Sequence, residues 1–423
     1  MIAEKVFQDL LGLGEGWAVQ GVDYEAEQNR FVIVIQETEK LWPTQTCPVE
    51  TCRQKPVVYK DRADVRSWRH LDVFGKKSET LCLVPRGRCT CCGHIYRVPV
   101  PWEGEGKHFS KEFEAFALTL MREMPTAKAA EILNTTDHQL WRMLFAHVDK
   151  AYAALDMSEV CWIGVDEMNT RKGHNYLTVF ADLVKKRVLF ATEGKDHATF
   201  EAFVAALGAH NGHPKAITQA AIDMSKAYQK GVKENLPKAE IVFDKFHVVA
   251  QVNGAVDEVR RTETRQGDAL VQKQLKKSRW LFCKNPENLS EKEQARLEEM
   301  DLKHLATGLA YQMRLTLQEA YASRNAEKAR YRFESWVNWV RARAEKFGAL
   351  LEPMRKMSDM VERHLEGILA WWQQGLTTAF MEGLNSLFSA TKRKARGYRN
   401  PVYMITMLYF VAGKLAIPSI LKH

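Results

Sequence analysis

Hydrophobic and polar positions recur along this chain with different periods, and the period changes at a few well-marked places. A short amphipathic helix at the start gives way to two strand-like runs, of which Phe31-Val32-Ile33-Val34-Ile35 is the clearest. Short β-rich runs continue to about residue 104, and from Lys107 to Tyr152 the spacing turns helical. Inside that stretch, Thr126-Ala127-Lys128-Ala129-Ala130-Glu131-Ile132-Leu133 predicts a small-residue helix. Asn134-Thr135-Thr136-Asp137 predicts a polar turn, and His138-Gln139-Leu140-Trp141-Arg142-Met143-Leu144-Phe145 a second helix. Short helix, tight polar turn and capped second helix are the parts of a helix-turn-helix, which sets its second helix in a major groove. His138, Gln139 and Arg142 are then the candidate base readers, with Thr135 or Thr136 on phosphate. A generic three-helix connector is the other meaning of the same pattern.

Between 158 and 255 strands and helices alternate. Strands are predicted at 160–166, 176–181, 187–191, 216–222 and 239–243, with helices at 197–209, from Ser225 and from about His247. Three strands in a meander followed by αβαβα is the order of an RNase H-like fold, a mixed sheet with helices on both faces. Residues 256 to 375 are helical throughout and mixed in charge, with Trp280, Trp336, Trp339, Trp371 and Trp372. They read as an all-α insertion that leaves the sheet and returns near Glu382. Its tryptophans are expected to be core, although Trp371 or Trp372 stacked on an unpaired base is the competing role. The expected architecture is multidomain α+β. It comprises a β-rich zinc-binding region (1–104), a helix-turn-helix (105–155), the first part of the catalytic core (156–255), the insertion (256–375) and C-terminal core helices (376–423).

Three carboxylates draw attention because of where they fall. Asp166 ends one apolar run, Asp223 ends another, and Glu382 lies far downstream, ahead of the basic stretch Lys392-Arg393-Lys394-Ala395-Arg396. A carboxylate at a strand end is expensive to bury unless a cation meets it there. Two such ends on neighbouring strands, with one helical carboxylate, could hold a pair of divalent metals for phosphoryl transfer. Glu167 is adjacent, but strand geometry sends it to the opposite face from Asp166.

Charge and cysteines refine this picture. The chain of 423 residues carries 61 Lys and Arg against 52 Asp and Glu, a net charge of +9, which favours a polyanionic partner. From Leu376 onward seven cations stand against one acid, so most of the excess lies beside Glu382. Six of eight cysteines fall between 47 and 92, which suits one metal site in a reducing compartment better than a disulfide framework. Cys47 with Cys52 and Cys89 with Cys92 read as two knuckles on one tetrahedral Zn²⁺, with Cys91 and His94 competing for a place. Buried free thiols are the bland alternative. Nine Lys and Arg residues between and after the knuckles, from Lys60 to Arg97, together with His70, are either phosphate contacts or a solvated face. No signal peptide and no run of membrane-spanning length is evident, so a cytoplasmic protein is expected.

Several motifs now appear in order: Gly164-Val165-Asp166-Glu167, Lys172-Gly173-His174-Asn175-Tyr176, Asp223-Met224-Ser225-Lys226-Ala227-Tyr228, Leu236-Pro237-Lys238-Ala239 and Phe243-Asp244-Lys245-Phe246-His247-Val248. With Glu382-Gly383-Leu384-Asn385 and Arg396-Gly397-Tyr398-Arg399-Asn400, nearly the whole chain resembles the ISL-three family of bacterial insertion-sequence transposases. One departure is the four-residue spacing in the first knuckle, where two is the family's habit. The resemblance implies a DDE recombinase in which Asp166, Asp223 and Glu382 hold two Mg²⁺ (or Mn²⁺) ions for DNA cleavage and strand transfer. It further implies double-stranded DNA as partner, both the element's terminal inverted repeats and the target, a homodimer in the DNA complex, and a place at the bacterial nucleoid. Asp244 and His247 resemble an accessory signature of related transposases and are expected to organise the site or contact DNA, unless they only cap the following helix. Asn385, one turn after Glu382, belongs with them, and Lys392, Arg393 and Arg396 would clamp phosphates. A DNA-binding regulator with an inert core and a nuclease without strand joining are the rival readings; the three acidic residues speak against the first, the large insertion against the second.

Overall fold

The computed structural model describes residues 2–52, 55–169, 176–300, 302–374, 379–395, 397–398 and 400–419; the side chains of Ile2, Ala3, Gln373, Gln374, Ala379, Phe380 and Glu382 lie outside the description. The chain clusters into two units, Met1–Leu155 with Thr391–His423, and Asp156–Ala390.

In the first unit, α1 (Ile2–Leu11) leads into β1 (Trp17–Glu25), β2 (Arg30–Glu37), β3 (Val57–Val73), β4 (Lys76–Cys89) and β5 (Ile95–Arg97). These pair in the order β1-β2-β4-β3, with β5 on β4; β2 and β4 are parallel and the other neighbours antiparallel. Period-two burial drives the pairing: Ser78, Thr80, Cys82 and Val84 fall on one face of β4 and are all buried. Against that face Trp102 meets Trp17 and Trp68 edge to face, with ring centres 5.1 and 5.6 Å apart.

Helices α2 (Lys111–Glu123), α3 (Thr126–Ile132) and α4 (Asp137–Ala153) follow. The turn between α3 and α4 is set by Asn134, which adopts φ +50°, a conformation asparagine tolerates better than most residues. A capping box then starts α4: the Gln139 amide N–H donates to Thr136 Oγ1, and the Thr136 N–H to Gln139 Oε1. Glu114, only 1% exposed, fastens these helices to the preceding loop. Its carboxylate accepts from the Glu105 and Gly106 N–H groups at 2.9 Å and lies 2.7 Å from His147 Nε2. The loop approaches so closely that a Cβ at Gly104 would stand 2.2 Å from that carboxylate.

The second unit is built on β6 (Trp162–Asn169), β7 (Tyr176–Asp182), β8 (Arg187–Glu193), β9 (Gln219–Ile222) and β10 (Glu240–Phe243), in the order β10-β9-β6-β7-β8. β6, β7 and β8 form an antiparallel meander, and β9 and β10 run parallel to β6. Helices α5 (Ala198–Ala209), α6 (Lys226–Asn235) and α7 (Lys245–Gln266) connect and follow these strands. The strands are buried almost throughout, as a sheet covered on both faces requires.

After α7 come α8 (Ala269–Leu275), α9 (Arg279–Cys283), α10 (Glu291–Glu298), α11 (Ala306–Tyr321), α12 (Ala326–Phe347), α13 (Glu352–Arg363) and α14 (Leu365–Gln374). Buried polar pins hold this layer. Glu263 of α7 accepts from the Ala306 and Thr307 N–H groups at 2.7 Å, capping α11, and Arg314 donates to Asn253 and to the Cys283 and Lys284 carbonyls. Trp336 is fully buried and donates to the Met313 carbonyl; Trp372 donates to the Ser323 carbonyl and stacks on Tyr321, while Trp280 is exposed. α15 (Ala379–Lys394) and α16 (Pro401–Ala412) complete the chain. Reading 376–423 as one block with the core differs from the contacts seen: α16 packs on α4 in the first unit, Tyr403 against Trp141 and Phe145, Tyr409 against Tyr152. Aromatic residues scattered between two distant segments give no periodicity that would announce this pairing.

Candidate active site and zinc centre

Strand register assembles the acidic site. On β6 and β9, Trp162 pairs with Gln219, Ile163 with Ala220 and Gly164 with Ala221; on β9 and β10, Gln219 pairs with Glu240 and Ile222 with Phe243. Carried forward in the same register, Asp166, Asp223 and Asp244 stand level on three adjacent parallel strands. They lie where β9 and β10 end, the edge at which open α/β sheets bind ligands.

Each carboxylate is held by a local donor. Asp166 is 9% exposed; Oδ1 accepts from the Glu167 N–H at 2.8 Å and Oδ2 from Asn385 Nδ2 at 2.5 Å. His247 Nε2, in the first turn of α7, is 3.9 Å from Asp166 Oδ1. Asp223 Oδ1 accepts from the Ser225 N–H at 2.8 Å, and Asp244 Oδ1 caps α7 through the Phe246 N–H at 2.7 Å. Burial pushes the Asp223 and Asp244 carboxyls above the usual carboxylate range; the amide bonds and His247 pull back, and Asp166 adds to the rise. No lysine or arginine nitrogen lies within 4.0 Å of any of the three among the described residues. Among the described residues the ligand atoms of these three do not gather into a metal-sized cluster as the cysteine sulfurs of the first unit do, and the side chain of Glu382 lies outside the description. Hard oxygen donors without a cationic partner are nonetheless the donor type a divalent cation prefers.

The helix that brings Asn385 is seated by packing on β6. A Cβ at Gly164 would lie 2.7 Å from Met381 Sδ, so the glycine is what lets α15 approach. The backbone of Glu382 lies in α15 one turn before Asn385, and its side chain lies outside the described part. Glu167, as expected, is exposed on the other face.

Four sulfurs form the second cluster. Cys47, Cys52, Cys89 and Cys92 offer ligand atoms all within 4.8 Å of one another. Cys47 and Cys92 Sγ are 3.7 Å apart and Cys52 and Cys89 Sγ 3.6 Å, close to the roughly 3.8 Å edge of a tetrahedron with ~2.3 Å Zn–S bonds. Such a set could bind zinc. The Cys92 and Cys91 amides hold the Cys89 thiol down at about 6, whereas burial pushes Cys47 and Cys52 up. Cys91 is exposed outside this set, and Cys82 is buried in the tryptophan core.

Residues 163–408 match a DDE family of ISL3 described as a transposase, and residues 98–148 match the helix-turn-helix domain of transposase family ISL3. The chain belongs to transposase family ISL3. It is 27% identical to the transposase for insertion sequence element IS1001 of Bordetella parapertussis, over 98% of this chain and 99% of that protein. It is 24% identical to the transposase for insertion sequence element IS1557 of Mycobacterium tuberculosis, over 99% of this chain and 98% of that protein.

The transposase's expected DNA contacts fall in different settings. His138, Gln139 and Arg142 are exposed at the start of α4, the second helix of the helix-turn-helix, although Gln139 Oε1 is engaged in the capping box. Arg393 is exposed and Lys392 half-buried near the end of α15; Arg396, Arg399 and residues 172–175 of the motif that ends at Tyr176 lie outside the described residues. Lys394 of the same basic stretch donates to the Glu123 carbonyl. The cations of the N-terminal sheet divide. Lys60 and Arg86 pair with Asp61, Arg62 with Glu37, Arg66 with Glu103 and Arg69 with Asp72, whereas Lys76, Lys77, Arg88 and Arg97 make no ion pair among the described residues. No helix among the described residues is long and apolar enough to cross a membrane.

Proposed function

We propose that this transposase binds the terminal inverted repeats of its insertion sequence and performs metal-dependent strand cleavage and strand transfer at the Asp166 row. The observation that carries this is the register that sets Asp166 level with Asp223, with Asn385 of α15 closing on Asp166. The meander with two added parallel strands, order β10-β9-β6-β7-β8, supports an RNase H-like core, and helices α8 to α14 support an all-α insertion between Asp223 and Glu382.

Asp166, Asp223 and Glu382 would hold two Mg²⁺ or Mn²⁺ ions. When bound, such ions stabilise charge on the attacking and leaving oxygens of an in-line phosphoryl displacement. The protein's own part is orientation. Asn385 and the Glu167 amide fix both oxygens of Asp166, Ser225 fixes Asp223, and Asp244 caps α7 so that His247 faces the row. His247 is placed to contact a phosphate or the attacking water, and Lys392, Arg393 and Arg396 to hold the strand's backbone. The exposed start of α4 would read bases, and the four cysteines would hold a structural zinc. Joining two ends calls for at least a homodimer on DNA, working in the bacterial cytoplasm on both element ends and target.

The test is cleavage of a labelled duplex spanning the element end and its flanking genome, with Mg²⁺, by wild type, Asp166→Asn, Asp223→Asn and Glu382→Gln. Loss of cleavage in all three, with end binding retained, supports the reading. Cleavage by any variant at the wild-type rate removes that residue from the chemistry.

A further inference from the structure

Phe74 sits at the tip of the β3–β4 hairpin with nothing in the fold to account for it. Val73 pairs with Lys76, leaving a two-residue turn of Phe74 and Gly75 with φ +50° and +72°. Positive φ at both central positions is the type I′ turn, whose first position ordinarily holds Asn, Asp or Gly. A phenyl side chain there goes against local preference. Burial does not compensate, because Phe74 is 93% exposed, the most of any large hydrophobic residue described. Arg30, the first residue of β2, pairs with Lys77, so the Phe74-Gly75 turn lies at the same end of the sheet as the 26–29 turn of the β1–β2 hairpin.

Charge around the tip selects the partner. Among the described residues Lys76 and Lys77 follow the ring without an ion pair, while farther down the ribbon Arg86, Arg62, Arg66 and Arg69 are matched by Asp61, Glu37, Glu103 and Asp72, and Arg88 is not matched. Of the acids near the tip, Asp72 is held by Arg69, and Glu25 and Glu79 by Arg30, while Glu27 of the β1–β2 turn is exposed. An exposed aromatic ring followed one glycine later by two lysines without ion pairs among the described residues fits a polyanion with flat apolar faces inside it. We propose that Phe74 is a wedge that enters a base step of the bound duplex while Lys76 and Lys77 hold the flanking phosphates. Apolar wedges of this kind partly unstack a step and kink the helix. The proposal rests on the reading that this chain binds the ends of its element, and adds where that DNA is distorted.

Phe74→Asn provides a clean test, because asparagine suits the turn and leaves the hairpin intact. The probe is a duplex covering the element end and flanking genome, with 2-aminopurine placed at successive steps. Wild type should raise the fluorescence at one step. Phe74→Asn should melt no lower than wild type, lose that rise and bind about tenfold more weakly, while Phe74→Trp keeps both. Lys76→Gln with Lys77→Gln should flatten the salt dependence of binding by about two phosphate contacts. Unchanged fluorescence and affinity in Phe74→Asn overturn the wedge. A change confined to self-association, seen by sedimentation without DNA, overturns it in favour of a contact between copies. Failure of wild type to bind the duplex at all sinks the end-binding reading beneath it.

Discussion

Asn385 donates its side-chain N–H to Asp166 at 2.5 Å, across 219 residues of sequence. The helix that supplies the last candidate ligand is thereby fastened to the strand that supplies the first. Replacing Asn385 by Asp sets one carboxylate against another and should lower end cleavage about 10- to 100-fold, the usual cost of losing a partner that orients a metal ligand. A Mg²⁺ titration checks it: the deficit should shrink as metal rises. Wild-type cleavage at every Mg²⁺ concentration would show that the bond is incidental.

Asp244 caps α7 while its own carboxyl is pushed up by burial. A carboxyl raised above its unfolded value of 3.8 costs the fold nothing below that pH, and a growing penalty as pH rises through the folded value. Asparagine caps equally well without the charge. Asp244→Asn should therefore melt higher than wild type at neutral pH in metal-free buffer, with the difference vanishing in acid, and yet cleave more slowly. Equal melting across the pH range would contradict this.

The sulfur geometry predicts about one zinc per chain. Cys89→Ser or Cys52→Ser should lose it, and a chelator should lower the melting temperature of wild type. Cys91→Ser and Cys82→Ser should retain zinc, because one is exposed outside the set and the other lies in the tryptophan core. Metal content by atomic absorption decides; zinc lost from Cys91→Ser would reassign the fourth ligand.

Glu114 joins the 104–106 loop, α2 and α4 through three contacts in a nearly dry site. Glu114→Ala should cost roughly 3 kcal/mol in urea unfolding of the helix-turn-helix region, since it strands the two amides and His147. Gly104→Ala should act in the same direction through collision alone.

Much of the second unit was legible because its pattern is local. The helices predicted from Ser225 and from about His247 are found at Lys226–Asn235 and Lys245–Gln266, and the strands predicted at 176–181 and 239–243 at Tyr176–Asp182 and Glu240–Phe243. The run 216–222 shortens to Gln219–Ile222 because Pro214–Ala216 forms a 3-10 turn. β3 was not legible: it is rich in charged residues, only Val57 and Trp68 are buried, and two of its cations, Arg62 and Arg66, are matched by acids remote in sequence. Asp244 was named as an organiser, but its place level with Asp166 and Asp223 depends on interstrand register, which one-dimensional spacing does not carry.

Register also makes the site sensitive to length as much as to residue identity. In a strand each step turns the side chain to the opposite face. Deleting one residue from the four of β9 would leave every aspartate in the gene yet turn Asp223 away from Asp166 or pull it short of the edge. Codon-sized insertions and deletions should accordingly be tolerated in the loops before Gln219 and after Gly194, and should silence an element when they fall within β6 or β9.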